Sequence, residues 1–176
     1  MRLGKVSLLI LWLTFQACII PPVESKPAYK EHLKFTAKVI RILDGDTMEV
    51  LYKNHPVKIR LAHIDCPEKR GSQPFGNQAK QALSDLCFGQ MVNIEVEKYD
   101  RYKRLIAIIV NGKKQIVNQE MIKQGMAWHF KKYSADEVYS KLETRARTNK
   151  IGLWKSPHPV PPWEWRALKR PNSSRK

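Results

Sequence analysis

The stretch KFTAKVIRILDGDTMEVLYKNHPVKIRLAHID, residues 34–65, contains three runs of β-forming residues separated by two turns. Asp-Gly-Asp at 44–46 and Lys-Asn-His-Pro at 53–56 are residue types that favour turns over regular structure. Around these turns, apolar and polar residues alternate, which is the pattern of half-buried strands. The stretch therefore predicts an antiparallel meander with strands at 34–42, 47–52 and 57–64.

The rest of the chain adds two strands and about three helices. An alternating run at 90–96 and a dense apolar run at 105–110 predict the fourth and fifth strands. Apolar residues at helical spacing and a capping box predict helices at 76–88, at 117–124, and from 134–137 to about 149. Five strands with a helix between the third and fourth predict an α+β fold, mainly a β-barrel: a five-stranded OB-fold Greek-key barrel with about three helices.

The first 25 residues differ from the rest in composition. Two basic residues precede a mostly apolar run at 6–20, and two prolines end it. The run is shorter than the roughly 20 residues of a membrane span and has the layout of a secretory signal peptide. We predict a signal peptide at 1–25, cleavage before Lys26, export to the periplasm or the medium, and no stable membrane span after cleavage. An uncleaved anchor and a lipoprotein site at Ala17-Cys18 are the alternatives.

The chain is strongly basic, with a net charge of +16 over 176 residues, and removal of the predicted signal peptide would leave +15. Such a field attracts polyanions and speeds their encounter with the protein. A cationic surface kept for solubility or for binding envelope polymers is the alternative. Two cysteines, Cys66 and Cys87, remain after the signal peptide, and a disulfide between them is possible in an oxidising compartment. No Cys/His pair has zinc spacing.

Carboxylates are concentrated in and beside the meander. Asp46 opens one predicted strand and Asp65 closes another, so their oxygens could converge on one hard divalent cation, with Asp44 close by. Taken alone, Asp-Gly-Asp is more often only a turn. Glu68 follows Asp-Cys-Pro, and a glutamate beside a metal ion could accept a proton from an attacking water.

Two arginines accompany these carboxylates. Arg60 lies on the third predicted strand, five residues before Asp65, and Arg104 begins the fifth strand. Guanidinium groups bind phosphate through paired donors and neutralise the charge that grows on it during attack. Either arginine could instead be an exposed charge at the end of a strand. The combination of carboxylates and arginines predicts a metal-dependent nuclease.

From about residue 34 to 154 the chain resembles the staphylococcal-type (micrococcal) nuclease, or thermonuclease, family. The stretches that carry the resemblance are ILDGDTMEV, IRLAHIDCPE, YDRYKRLIAIIVNGK and VNQEMIKQGMA. On this basis the chain divides into the signal peptide, a staphylococcal-nuclease-like OB domain at 26–155 and a Pro/Trp-containing basic tail at 156–176.

The resemblance implies an enzyme that hydrolyses DNA and RNA with Ca²⁺ and leaves 3′-phosphates and 5′-hydroxyls. It assigns metal binding to the side chains of Asp46 and Asp65 and to the backbone carbonyl of Cys66, with Asp44 just outside. Glu68 corresponds to the proposed general base, and Arg60 and Arg104 to the phosphate-binding pair. The residues that would contact the nucleotide are Arg101, Tyr102 and Tyr133.

Other functions remain open at this point. A non-catalytic OB module would bind nucleic acid without needing the carboxylates, and a basic envelope-binding protein would use them only structurally. His63 and His129 are expected to be packing or surface residues, and Trp163 and Trp165 to cover core surface rather than grip nucleic acid. Nothing in the sequence requires more than a monomer. Aromatic stacking would favour single-stranded or breathing nucleic acid.

Overall fold

Seven strands and four α-helices follow one another in the part of the chain that the computed structural model describes, residues 33–169. Residues 1–32, which include the predicted signal peptide, and residues 170–176 lie outside the described residues. The strands are β1 (Lys34–Asp44), β2 (Thr47–Tyr52), β3 (His55–Leu61), β4 (Ile64–Asp65), β5 (Met91–Tyr99), β6 (Leu105–Val110) and β7 (Trp128–His129). The helices are α1 (Gly76–Cys87), α2 (Val117–Lys123), α3 (Glu137–Thr148) and α4 (Pro162–Leu168), with a 3₁₀ turn at Gly152–Lys155 before α4.

Five of the strands close into a barrel in the order β1-β2-β3-β6-β5, with β5 returning to β1. All neighbours are antiparallel except β3 and β6, which are parallel. The predicted OB-type barrel and the insertion of α1 between its third and fourth strands are confirmed. The third run of the meander is divided in two, because β3 ends at Leu61 and Ile64–Asp65 forms the separate strand β4, which pairs with β7.

Strand β1 illustrates how the sequence builds the barrel interior. Ala37 and Val39 are buried, as period-two alternation requires. The register then shifts between Val39 and Arg41, so that Arg41 faces out and Ile42 faces in. A β-bulge of this kind bends a strand and increases its twist, which helps a short sheet to close on itself.

The Asp-Gly-Asp turn between β1 and β2 is pressed against α1. A Cβ atom on Gly45 would lie 2.7 Å from the Cβ of Ala79 and 2.8 Å from the Cβ of Cys66. Only glycine allows this approach, since real Cβ contacts are essentially never so short. The turn that carries Asp44 and Asp46 is therefore fixed between the helix and the segment after β4.

A buried asparagine that the sequence analysis did not single out ties α2 to the barrel. Asn118 has no exposed surface; its side-chain oxygen accepts from the N–H of Ile109, and its NH₂ group donates to the carbonyls of Ala62 and Ala107. Because all three bonds are formed away from water, Asn118 fixes the position of α2 at the end of β3.

The C-terminal part differs most from the sequence prediction. Helix α4 lies in the segment described above as a tail, and no helix was predicted there. The ring of Trp163 stacks on Phe130 at 5.6 Å and meets Trp128 edge-on at 5.6 Å. Trp163 thus covers apolar surface, as expected, and it docks α4 against the segment around β7.

Helix α3 and the two cysteines differ from expectation in smaller ways. The N-cap of α3 is Asp136, whose side chain accepts from the N–H of Val138, so the prediction that Ser134 caps this helix is wrong. Cys66 and Cys87 are both buried free thiols, so the possible disulfide does not form. Within residues 33–169, none of the helices is long and apolar enough to cross a membrane.

Candidate active site

Two aspartates and one arginine meet at the open end of the β2–β3 hairpin. Arg60 on β3 pairs through Nη1 with Oδ2 of Asp46 at 2.5 Å and through Nη2 with Oδ1 of Asp65 at 2.9 Å. The register brings Asp46 there, because its neighbour Thr47 lies opposite Arg60 in the β2–β3 ladder. Strand β4 supplies Asp65, and the Thr47 hydroxyl donates to the other oxygen of Asp46.

This group is largely removed from water. Asp65 has no exposed surface, Asp46 is buried, and the Arg60 side chain is 15 % exposed. Burial raises the pKa of Asp65; the hydrogen bond from Arg166 opposes that shift, and the charge of Asp46 adds to it. Although burial works against ionisation, the carboxylates of Asp46 and Asp65 raise the pKa of Arg60. Two like charges are therefore held together by a cation between them.

Asp44 and Cys66 border this group. Oδ1 of Asp44 accepts from the N–H groups of Gly45 at 2.9 Å and Lys69 at 3.3 Å, so this carboxylate ties the turn to the loop after β4. Burial raises the pKa of Asp44. The N–H of Cys66 points to Oδ2 of Asp46 at 3.4 Å, and burial raises the pKa of its thiol well above the usual range. The Cys66 side chain is therefore a packing group, and its thiol is not poised as a metal ligand.

Glu68 lies in the loop between β4 and α1, close to Asp65. Its backbone N–H donates to Oε1 of Gln73 at 2.9 Å, and Nε2 of the buried Gln73 donates to the carbonyl of Val160 at 2.8 Å. The loop that presents Glu68 is thus fastened to the proline-rich segment before α4. The Glu68 side chain is 26 % exposed, so it faces both the carboxylate group and solvent.

A second arginine, which the sequence analysis did not identify, also reaches these carboxylates. Arg166 on α4 donates through Nη2 to Oδ2 of Asp65 at 2.6 Å and through Nη1 to Oδ1 of Asp65 at 3.3 Å. Nη1 also pairs with Oε1 of Glu68 at 2.5 Å. Burial opposes ionisation here too, but Asp65 and Glu68 raise the pKa of Arg166. The only sequence signal was a basic residue in the WEWR stretch, and nothing in that signal indicated its partners.

Arg104 is not part of this cluster. It precedes β6 and pairs with Asp100, whose Oδ2 accepts from Nε and Nη2 at 2.7 Å, while Asp100 Oδ1 accepts from the Arg104 N–H. Burial alone would raise the pKa of Asp100, but the hydrogen bonds that its carboxylate accepts from Arg104 and Tyr102 lower it. In the β3–β6 ladder Arg60 pairs with Ile106, so Arg104 lies two residues before that partner, on the same side of the sheet.

The three residues expected to contact nucleotide are exposed aromatic and basic groups. Tyr102 is 64 % exposed, and the guanidinium carbons of Arg101 and Arg104 lie 4.9 Å and 5.6 Å from its ring centre. Tyr133 is 63 % exposed and lies edge-on to Phe130. Rings flanked by cations are platforms on which bases can stack beside a phosphate chain.

The chemistry of the donor set fits a hard divalent cation. Asp46 and Asp65 offer carboxylate oxygens, the donors that calcium and magnesium prefer. Their present partners are largely the cationic N–H groups of Arg60 and Arg166, so positive charge is already drawn to this position. Among residues 33–169 there is, however, no group of three or more His, Cys, Asp or Glu side chains arranged to hold a metal ion. Backbone carbonyls and water would therefore have to complete a coordination shell.

His63 and His129 belong to a separate, partly buried network. Nδ1 of His63 and Nε2 of His129 lie 2.8 Å and 2.9 Å from the hydroxyl oxygen of Ser134, and Nε2 of His63 lies 2.8 Å from Glu97. Burial lowers the pKa of His129. The network connects the turn between β3 and β4 with the segment after β7. It therefore has the packing role expected of these histidines.

Residues 58–156 match the family model described as staphylococcal nuclease homologue. A protein of Haemophilus influenzae named "Uncharacterized endonuclease" is 40% identical, over 94% of this chain and 85% of its own. The "Micrococcal nuclease" of Shigella flexneri is 36% identical, over 85% of this chain and 89% of its own. A "Staphylococcal-like nuclease" of Arabidopsis thaliana is 37% identical, over 79% of this chain and 42% of its own.

Proposed function

The chain belongs to the staphylococcal nuclease homologue family and is a nuclease, and we propose that it is a calcium-dependent endonuclease that does not discriminate between sugars. It would hydrolyse phosphodiester bonds of DNA and RNA and leave 3′-phosphate and 5′-hydroxyl ends. The single observation that carries this proposal is the meeting of Asp46 and Asp65 at Arg60, with Glu68 beside them. A non-catalytic binding module would have no use for such costly burial of carboxylates.

Each residue has a role that follows from its contacts. Asp46, Asp65 and the backbone carbonyl of Cys66 would hold Ca²⁺, with Asp44 bracing the turn. When bound, the ion supplies a positive charge that polarises the phosphate and favours ionisation of water. The Glu68 side chain is 26 % exposed, so solvent can reach it, and it would accept the proton of the attacking water.

The two arginines would act on the phosphate. Arg60 presents a guanidinium that the carboxylates keep charged and oriented, and Arg104 is held in place by its paired bonds to Asp100. Guanidinium donors fixed in advance stabilise charge that develops during attack, without reorganisation at the moment of reaction. Arg101, Tyr102 and Tyr133 would hold neighbouring nucleotides by stacking and charge, which predicts weak sequence preference and faster cutting of single-stranded or breathing regions.

We also propose that the protein is exported and acts as a monomer. The apolar run at 6–20 with its basic start and following prolines supports export to the periplasm or the medium. The compartment would supply calcium and keep the nuclease away from the chromosome. A direct check is N-terminal sequencing of the protein recovered from periplasm, medium and membrane, where a mature start at Lys26 is expected.

The nuclease proposal is tested with chain 26–176, circular plasmid, single-stranded DNA and RNA, each with Ca²⁺, Mg²⁺ or EDTA. Internal cutting of all three with Ca²⁺, and fragments that polynucleotide kinase can label at the 5′ end without prior phosphatase, would support it. The Glu68→Gln variant is the matched control, because it keeps the shape of the side chain but cannot take the proton. Binding without cutting under every ion would instead favour the non-catalytic module.

A further inference from the structure

Helix α4 places a cation at the position where the proposed function needs one. The Arg166 guanidinium bridges both oxygens of Asp65 and one oxygen of Glu68. Residue 166 lies beyond the 58–156 span that matches the family model, so this contact comes from outside the matched domain. Asp65 has no exposed surface, and a buried carboxylate is strongly unfavourable without cationic or hydrogen-bonding partners.

Specific contacts hold α4 in this place. Trp163 packs on Phe130 and Trp128, and Gln73 binds the carbonyl of Val160 just before the helix. Pro161 and Pro162 are buried. The approach of Arg166 to the site is therefore part of how the C-terminal segment docks, and is not a chance contact of a free side chain.

Although these contacts dock α4, the exposure of Arg166 and the shortness of its helix would let its guanidinium withdraw from the carboxylates. Its side chain is 37 % exposed, against 15 % for Arg60, and α4 is a seven-residue helix packed outside the barrel. Short elements with few buried contacts open at a lower free-energy cost than strands inside a barrel. A withdrawn guanidinium would be rehydrated at the surface, whereas Arg60 has no comparable route out of β3.

We propose that Arg166 is a built-in counter-cation: it occupies the carboxylate site in the ion-free protein and must leave Asp65 before a divalent cation can bind. This inference rests on the proposed metal-binding role of Asp46 and Asp65. Because Arg166 also holds Glu68, its departure frees the proposed base in the same movement. The calcium concentration needed for activity would then be set by the competition between α4 and the ion.

The competition has a definite thermodynamic consequence. If only a fraction of molecules has Arg166 withdrawn, the apparent dissociation constant of the ion rises in inverse proportion to that fraction. Removing the guanidinium removes the competitor while leaving every carboxylate oxygen in place. A phosphate-binding role for Arg166 predicts something different, namely weaker nucleotide binding and unchanged ion binding.

The test is a calorimetric titration of Ca²⁺ into nucleic-acid-free protein, comparing wild type with Arg166→Gln. We expect Arg166→Gln to bind Ca²⁺ at the same stoichiometry but about tenfold more tightly, as expected when one charge-assisted pair no longer competes. Lys169→Gln is the matched control, because it removes one positive charge from the end of the same helix without touching the carboxylates. Its affinity should match that of wild type, which separates competition from general charge.

Four results would overturn the proposal. Equal affinity in wild type and Arg166→Gln, or weaker binding in Arg166→Gln, would refute the competition while leaving the calcium site intact. An equal gain in Lys169→Gln would reduce the effect to net charge. If neither wild type nor Arg166→Gln binds Ca²⁺, both this inference and the proposed calcium dependence fall. Should Arg166→Gln not fold, Arg166→Lys replaces it in the titration, because lysine keeps the charge but not the paired donors. Its affinity for Ca²⁺ is expected to lie between that of wild type and the tenfold tighter value, and an affinity equal to wild type or weaker would refute the competition.

Discussion

The barrel strand β3 and the short outer helix α4 each bring an arginine to Asp65, but they hold it differently. Arg60 is nearly enclosed and also binds Asp46, whereas Arg166 is more exposed and also binds Glu68. Arg60 belongs to a ladder paired on both sides, by β2 and by β6. The Arg60–Asp65 ion pair is therefore a fixed part of the site, whereas the Arg166–Asp65 ion pair is the one that we expect to be removable.

The difference shows that a contact list does not reveal which partner of a carboxylate is structural. Burial and the stability of the supporting element decide it, because a charge in a closed barrel cannot leave without unfolding, while one on a short helix outside the barrel can. A substitution of Arg60 should therefore damage folding and catalysis together. A substitution of Arg166 should alter the ion equilibrium far more than the fold.

Arg60→Gln carries the largest expected effect. It leaves Asp46 and Asp65 facing each other without their shared cation, which should lower the free energy of unfolding by about 3 kcal/mol. Cleavage should fall by roughly 10²-fold or more, since a phosphate-binding guanidinium is also lost. Urea unfolding and plasmid cutting measure the two effects. An active, fully stable Arg60→Gln protein would break the comparison.

Arg166→Gln should cost far less stability. In EDTA we expect a loss of about 1 kcal/mol, the scale of partly exposed ion pairs rather than of buried ones. Thermal unfolding with and without Ca²⁺ measures it, and Ca²⁺ should stabilise Arg166→Gln more than wild type because binding is tighter. A loss of unfolding free energy as large as that of Arg60→Gln would show that both arginines are equally important for the fold, which would contradict the comparison.

Trp163→Ala sharpens the comparison without touching a charge. Loss of the packing on Phe130 and Trp128 should loosen α4 while Arg166 stays present. Calcium affinity should rise about threefold, less than in Arg166→Gln, because the guanidinium still competes part of the time. Calcium titration and limited proteolysis at the C-terminal segment are the readouts. Faster proteolysis with unchanged affinity would show that docking of α4 does not control the ion.

The pH dependence of stability should show the smallest effect, and it reports on the fixed region. Burial lowers the pKa of His129 below its ordinary value of about 6.5, so the unfolded chain takes up the proton first. The stability that neutral His129 contributes to the folded state is fully present above pH 6.5, and it is lost as the pH falls toward the lower folded-state pKa of His129. Urea unfolding at several pH values between 7.5 and 5 should show a flatter profile for His129→Gln than for wild type. A steeper profile would contradict the assignment.

The sequence was sufficient for the barrel and for one half of the site. Alternation and turn residues located the barrel strands, and short-range spacing placed Asp46, Arg60, Asp65 and Glu68 near one another. Strands β4 and β7 have two residues each, too few for any period to show. The bulge in β1 depends on closure of the whole sheet, which no local pattern records.

The second half of the site depends on contacts between distant parts of the chain. Arg166 and Asp65 are 101 residues apart in sequence, and nothing in WEWR indicates which carboxylates it will meet. Helix α4 is short and is stabilised by Trp163 packing rather than by its own periodicity. The proline-rich segment before the helix suggested a tail, although its last two residues, Pro161 and Pro162, are buried where α4 begins.

A crystal structure of the wild-type protein with Ca²⁺ tests the central claim most directly. The account predicts an ion bound by Asp46 and Asp65, with the Arg166 guanidinium withdrawn from Asp65 while Arg60 stays at its place on β3. An ion bound elsewhere, or an ion at these carboxylates with Arg166 still bridging Asp65 and Glu68, would contradict it.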